Sequence, residues 1–186
     1  MKKNMKVVIL NAFDEDNHVT LALKEVLKGN ENVDWHDLTN ANILPCRGCG
    51  YCGVKTPGRC VMKDDFEHIV KSIVKKDIML FLTPIHFGGY ASKLKLLIDR
   101  FMVIGTPLYT VKDGDLLHPM RYDMKKLIGI GLGKNNYDEQ KEGFENLVTA
   151  NAWNMLLSHE VVTFCESHQY DEILQGIDAI FKEGVA

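Results

Sequence analysis

The chain has 186 residues, 46% hydrophobic and 25% charged, with a formal net charge of -3 and a pI near 6.2. That length suits one domain with a sizeable core. The charge excludes a general nucleic-acid or membrane-surface binder, because such partners demand a basic field. The start, Met1-Lys2-Lys3-Asn4-Met5-Lys6, is basic, but the apolar run Val7 to Leu10 is too short for a secretory leader and no run is long enough to span a bilayer. A cytoplasmic setting is therefore expected, in which clustered cysteines read as metal-binding or catalytic rather than as a disulfide framework.

Five apolar runs alternate with helical patterns: Val7 to Asn11, Val33 to Leu38, Ile78 to Thr83, Leu127 to Leu132 and Val161 to Phe164. Continuous apolar runs such as Ile78-Met79-Leu80-Phe81-Leu82 fit strands buried on both faces, as parallel sheets produce. Between them, Val19, Ala22, Leu23, Val26 and Leu27 share one helical face, as do Phe66, Ile69, Val70, Ile73 and Val74, and Ile173, Leu174, Ile177, Ile180 and Phe181. Asp64 is positioned to cap the second of these helices, with Glu67 reaching back to complete a capping box. The alternation predicts an α/β domain over 1–186: a flavodoxin-like three-layer sandwich around a five-stranded parallel sheet of order 2-1-3-4-5. In that fold ligands sit at the carboxyl ends of strands one and three, so the loops after Asn11 and Thr83 are the functional suspects. A long loop at 104–125, with Gly105, Pro107, Gly114 and Pro119 and no periodicity, is expected either to cover a substrate or subunit neighbour or to be a solvated excursion.

A cysteine-rich insertion at 45–62 follows the second strand and should emerge on the same sheet edge. Cys46, Cys49, Cys52 and Cys60 fall at spacing C-x2-C-x2-C-x7-C, interleaved with Gly48, Gly50, Gly53 and Gly58. Glycine supplies the positive-φ turns needed to aim several sulfurs at one centre. Four soft thiolates suit an iron-sulfur cluster, with zinc or metal-free redox-active thiols as alternatives. The triple x2 repeat lies nearer the ferredoxin run than a zinc ribbon, although its x7 gap departs from both. Cys165, at the end of the last strand, reads as a buried structural thiol. His36, His68, His118, His159 and His168 show no metal-ligand spacing.

The segment Thr83-Pro84-Ile85-His86-Phe87-Gly88-Gly89, followed by Leu94-Lys95-x-x-Ile98-Asp99-Arg100-Phe101, resembles the flavin-contacting segment of the NAD(P)H-dependent FMN reductase family. Cys46 to Cys60 followed by Asp64-Asp65 resembles its iron-sulfur flavoprotein branch. The resemblance runs from about Lys6 to Phe101, with a weaker echo around Gly131 to Asn136. It implies FMN as cofactor, with Pro84, Ile85, His86, Phe87, Gly88 and Gly89 against the isoalloxazine and Gly133 and Asn135 at its border. It also implies a [4Fe-4S] cluster on the four cysteines, NAD(P)H as transient electron donor, a quinone or other small acceptor, and a homodimer or homotetramer in which cluster and FMN meet near subunit interfaces. Ferredoxin is the alternative donor, and His86 a candidate to tune or protonate the reduced flavin. A flat, largely apolar ring with one polar edge needs such a segment: aromatic surface beside a Gly-Gly turn that lets backbone N-H groups approach.

The first loop departs from the family. In place of a small, basic, hydroxyl-rich loop the chain has Asn11-Ala12-Phe13-Asp14-Glu15-Asp16-Asn17-His18-Val19-Thr20. One carboxylate about 4 Å from a phosphate charge costs about 4 kcal/mol at an effective dielectric near 20. FMN binding then requires the acids to point outward while Asn11, Phe13, Asn17, His18 and Thr20, with the helix N-terminus, form the phosphate side. The expectation is an FMN-dependent oxidoreductase or electron-transfer flavoprotein. A flavin-free redox- or zinc-sensing module on the same scaffold is the alternative.

Overall fold

The computed structural model describes residues 5–134 and 138–183. In chain order the elements are β1 (Val7–Asn11), α1 (His18–Val26), β2 (Val33–Asp37), α2 (Tyr51–Val54), α3 (Phe66–Ile73), β3 (Ile78–Pro84) and α4 (Ser92–Ile98). A 3-10 turn over Phe101–Val103 follows, then β4 (Thr110–Lys112), β5 (Asp115–Leu117), β6 (Lys126–Gly133), α5 (Asp138–Asn154), β7 (Ser158–Cys165) and α6 (Tyr170–Glu183). The main sheet is parallel throughout and ordered β2-β1-β3-β6-β7. With the small hairpin set aside, this is the expected 2-1-3-4-5 order.

The central strands β1 and β3 are apolar on both faces because both faces are covered. Val7, Ile9, Leu80, Leu82, Ile128 and Ile130 pack with Val19, Leu23 and Ile177 of α1 and α6. Val8, Leu10, Met79 and Phe81 pack on the other side with Phe66, Ile73, Leu94 and Phe144. β7 begins three residues earlier than its apolar run predicts, since Ser158-His159-Glu160 lie at a sheet edge where polar residues are tolerated. The 104–125 excursion is not structureless. Asp113 and Gly114 both take positive φ, 51° and 90°, and close an antiparallel hairpin of β4 and β5, the geometry an Asp-Gly pair favours.

The expected capping box on α3 does not form. Asp65 occupies the cap position without a side-chain cap bond, and Glu67 pairs with Lys71 at 2.8 Å. Asp64 has a stronger partner in the Arg100 guanidinium, with side-chain exposures of 0% and 1%. The pair is bidentate: Arg100 Nη1 and Nη2 both donate to Asp64, the second at 3.0 Å. Arg100 also donates to the Leu44 carbonyl at 3.1 Å and lies 3.9 Å over the Phe66 ring. Asp64 in turn accepts the Leu44 N-H at 2.8 Å, while Asp65 accepts the Asn42 N-H at 2.8 Å. The cysteine insertion is thus tied at its neck, Asn42–Leu44 against Asp64–Asp65, to the end of α4.

Burial pushes the Asp64 carboxyl up, but hydrogen bonds from Arg100 and from the Leu44 N-H outweigh it and hold the group below the usual aspartate range. Its contribution to stability is therefore complete above pH ~4 and lost as pH falls through the depressed folded value. Asp64→Asn leaves a buried, unpaired guanidinium. Urea denaturation at pH 7 is expected to show a loss of about 3–5 kcal/mol, with the difference from the parent narrowing as the pH is lowered below 4.

Candidate functional site

The loops leaving β1, β3 and β6 converge at the carboxyl edge of the sheet. Ala12 N-H donates to Leu82 O at 2.8 Å and Ile85 N-H to Leu132 O at 2.8 Å, so the first turn, the 84–89 segment and the end of β6 are successive neighbours. The Thr83 hydroxyl is buried, donating to Pro84 O and accepting the Ala91 N-H at 3.0 Å, which brackets the segment at both ends. Between those anchors His86 and Gly89 exchange backbone bonds of 3.0 and 2.8 Å. Phe87 and Gly88 form the turn with φ of 51° and 76°. Phe87 pays for that conformation with about 1 kcal/mol or more of backbone strain, and its ring is 100% exposed. Ile85 is buried beneath the turn, His86 is exposed, and Pro84, Gly88 and Gly89 are half-buried. A Cβ on Gly88 would lie 3.5 Å from the Cα of Gly143, so the turn rests on α5 through two glycine backbones.

Gly131 and Gly133 belong to β6 rather than to the loop beyond it, and Asn135 lies outside the described residues. Gly131 makes room for its neighbours: a Cβ there would stand 2.8 Å from both Ile85 Cδ1 and Phe144 Cε1.

The first turn is built by asparagines. Asn11 donates to Asp37 at 2.8 Å and accepts the Phe13 N-H at 3.2 Å, turning the chain off the strand. Phe13 packs in the core, as the side chain of Thr20 does, at 8% and 0% exposure. Asn17 caps α1: its Oδ1 accepts the N-H groups of Val19 at 3.0 Å and Thr20 at 3.1 Å, and lies 3.4 Å from the Thr20 hydroxyl. The His18 ring sits edge-on to Tyr170. Asp14, Glu15 and Asp16 all face solvent, and Asp16 is paired with Lys24 at 2.8 Å.

A second site lies in the cysteine insertion. Cys46, Cys49, Cys52 and Cys60 all line one cavity of about 240 Å³, closed on its far side by Arg100, Met102 and Val103. Gly48, Gly50 and Gly58, at φ of 64°, 67° and 77°, make the turns that point the chain inward. All four are free thiols. Burial, then the neighbouring Cys60, Cys46 and Cys49, push the Cys52 thiol up. Among the described residues, no three or more Cys, His, Asp or Glu side chains stand at metal-holding distance. Burial opposes the charge of Arg100, but Asp64 and the Cys60 sulfur raise its affinity for the proton, and its buried Nε-H has no acceptor. No residue of the 84–89 segment lines this cavity. Arg100 belongs to the family-like motif after α4, but its place in the cysteine cavity depends on how α4 packs and is not readable from spacing.

The model of the NADPH-dependent FMN reductase family matches residues 5–142. An iron-sulfur flavoprotein of Methanocaldococcus jannaschii is 31% identical over 101 residues, 52% of this chain and 51% of that protein. One from Methanosarcina thermophila is 28% identical over 76 residues, 41% of this chain and 39% of the relative. The chain's match therefore spans about half or less of the length of these relatives. Among solved structures, an NAD(P)H:quinone oxidoreductase from Methanothermobacter marburgensis superposes with a TM-score of 0.70 at 16% identity, covering 97% of this chain and 98% of that one. An FMN-dependent NADH-azoreductase from Bacillus anthracis, solved with FMN, gives 0.63 at 14% identity, with 97% of each chain covered. At such identities the likeness establishes the fold.

Gly131→Ala is expected to push Ile85 and Phe144 apart and lower the unfolding free energy by about 1–3 kcal/mol, measured by urea denaturation.

Proposed function

The chain belongs to the NADPH-dependent FMN reductase family, and from that premise we propose that it is an FMN-dependent oxidoreductase drawing electrons from NAD(P)H and delivering them to a quinone or another small acceptor. The observation that carries the reading is the turn at the carboxyl edge of the sheet, where Phe87 presents a fully exposed ring on a backbone held by Thr83, Ile85 and the Gly88–Gly143 contact. An apolar face beside free backbone groups is what a flat tricyclic ring with one polar edge requires.

On the ring side, the exposed Phe87 and the positive-φ turn it shares with Gly88 support the reading. On the phosphate side the acids are turned outward, as binding demands, but Asn17 occupies the Val19 and Thr20 N-H groups. Those two donors reach an anion once the carboxamide swings aside. Bound FMN would supply the ability to accept two electrons together and release them singly, and a [4Fe-4S] cluster on Cys46, Cys49, Cys52 and Cys60 would relay single electrons. The donor set supports such a cluster: four free thiols on one cavity wall beside a buried guanidinium with an unused N-H, suited to a site of net negative charge. This chain's own parts then divide the work. The 84–89 turn orients the ring, Arg100 and Asp64 hold the cysteine insertion in place, and His86, exposed at the turn, is available to exchange a proton with solvent. A homodimer or homotetramer is part of the proposal, because the two sites share no lining residue and a second copy offers the route between them. Ferredoxin is the alternative donor.

Asn17's grip on the anion-binding N-H groups favours one rival, a flavin-free redox- or zinc-responsive module. Anaerobically purified protein is expected to show flavin bands with a broad brown shoulder and about four iron and four sulfide per chain. A colourless preparation carrying zinc would support the rival. Titration should quench FMN fluorescence, and Phe87→Ala should weaken binding by about two- to tenfold, the effect of ~0.5–1.5 kcal/mol of ring contact. Absence of quenching at saturating FMN ends the proposal. Asn17→Gly, which costs the helix only a few tenths of a kcal/mol, should tighten FMN by about tenfold, as two charge-assisted N-H bonds become free.

A further inference from the structure

The C-terminal end of the cysteine insertion borders a second cavity, of about 390 Å³, a volume in the range of small-molecule sites. Its apolar lining is built by periodicity. Phe66 and Val70 of α3 and Val74 at its C-terminal cap stand four residues apart and so share one helical face, and Val103 of the 3-10 turn joins them. Gly58, Arg59 and Cys60 contribute from the insertion, and Tyr122 from the end of the 104–125 excursion. Cys60 and Val103 also line the cavity that the four cysteines share, so one cysteine stands in the walls of both. No residue of the first loop or of the 84–89 turn lines this second cavity.

The polar groups in its wall are mostly donors. The one carboxylate there, Glu67, is engaged by Lys71 at 2.8 Å and Lys63 at 4.0 Å. The Arg59 guanidinium and the Tyr122 hydroxyl are exposed and make no hydrogen bond among the described residues. A guanidinium donates and never accepts, so a matching ligand must bring acceptor oxygens. The valines and Phe66 require its body to be apolar. Carbonyl oxygens supply acceptors without placing a second negative charge beside Glu67.

We propose that this cavity is the docking site of the small electron acceptor, an uncharged one-ring quinone lying on Val70, Val74 and Val103 with its carbonyl oxygens served by Tyr122 and Arg59. The inference rests on the reading of the four cysteines as a cluster site, since Cys60 alone would stand between that site and the ring. It separates the acceptor from NAD(P)H, which is placed at the flavin. The net reaction is balanced without a further reductant: NAD(P)H, one proton and the quinone give NAD(P)+ and the hydroquinone.

The test is photolabelling of the intact, anaerobically purified protein with azidotrimethyl-1,4-benzoquinone, which leaves thiols no open ring position to add to. Labelled peptides are identified by mass spectrometry with and without excess duroquinone. Label that duroquinone displaces should fall on the peptides holding 66–74 and Tyr122. Displaceable label confined to 84–90, or none at all, would overturn the site; this comparison needs no variant to fold. Val74→Trp, which fills the cavity from a half-buried position, should weaken duroquinone binding at least tenfold in equilibrium dialysis. Tyr122→Phe should weaken it about two- to tenfold, the loss of one hydrogen bond. Unchanged affinity in both variants also overturns the site, and tighter binding of benzoate than of duroquinone overturns the uncharged class. Iron and sulfide counted on the same samples separate this inference from the one beneath it. Displaceable label in the cavity of an iron-free protein keeps the quinone site and defeats the cluster, whereas label only at 84–90 in an iron-loaded protein defeats the quinone site alone.

Discussion

The ion pair between Arg100 and Asp64 is the constraint on which the cysteine site depends. The cysteine insertion at 45–62, within the connection from β2 to α3, has little core of its own: Tyr51 and Val54 are exposed, and α2 is a single turn. Its shape comes from its ends. One guanidinium joins Asp64 on the outgoing side, the Leu44 carbonyl on the incoming side and the Phe66 ring at the start of α3. It also stands beside Cys60. A buried pair of this kind gains little net stability over an apolar replacement, because desolvating two charges consumes most of the attraction. What it contributes is position. Loop closure grows slowly more costly with length, so a long insertion is tolerable once its neck is fixed, and the neck here is fixed by Arg100, which also lines the cavity.

At the sheet edge the organising constraint is close backbone approach rather than charge. Ile85 fits beneath the 84–89 turn only because Gly131 opposite has no side chain, and the turn reaches α5 only where Gly88 meets Gly143. Three glycines from β6, the turn and α5 thus set how far Phe87 stands from the body of the protein. The parallel register, with Pro84 beside Leu132, carries the same positioning back into the sheet.

Much of this was legible in the residues. The continuous apolar strands, the helical stripes and the order of the sheet follow from periodicity, and the placement of the candidate loops follows from that order. The hairpin in the long excursion was also signalled, by Asp113-Gly114, but β4 and β5 are three residues each and show no alternation. α5 is long, yet its buried residues form a stripe only one residue wide, Phe144, Val148 and Ala152, so little amphipathic pattern survives. Asp64 misleads because a local rule predicts a cap while a residue 36 positions away makes the better bond. Cys165 and His168 are three apart at the end of a strand, where strand geometry alone would send them to opposite faces; the turn closed by His168 N-H donating to Cys165 O brings the imidazole to 3.0 Å from the sulfur.

The acidic first loop shows how far a charge count can be trusted. Read from sequence, Asp14-Glu15-Asp16 oppose a phosphate by several kcal/mol. In the structure Asp16 is neutralised by Lys24 and the other two face solvent, where a unit charge even 4 Å away costs about 1 kcal/mol and salt screens it over about 8 Å. A single hydrogen bond from an N-H group to a charged acceptor is worth about 1.5–3 kcal/mol, more than either exposed acid takes away. The outcome at that loop is therefore decided by the two N-H groups at the start of α1. Asn17 already holds both, so the competitor of an incoming phosphate is a neutral carboxamide and not the neighbouring carboxylates.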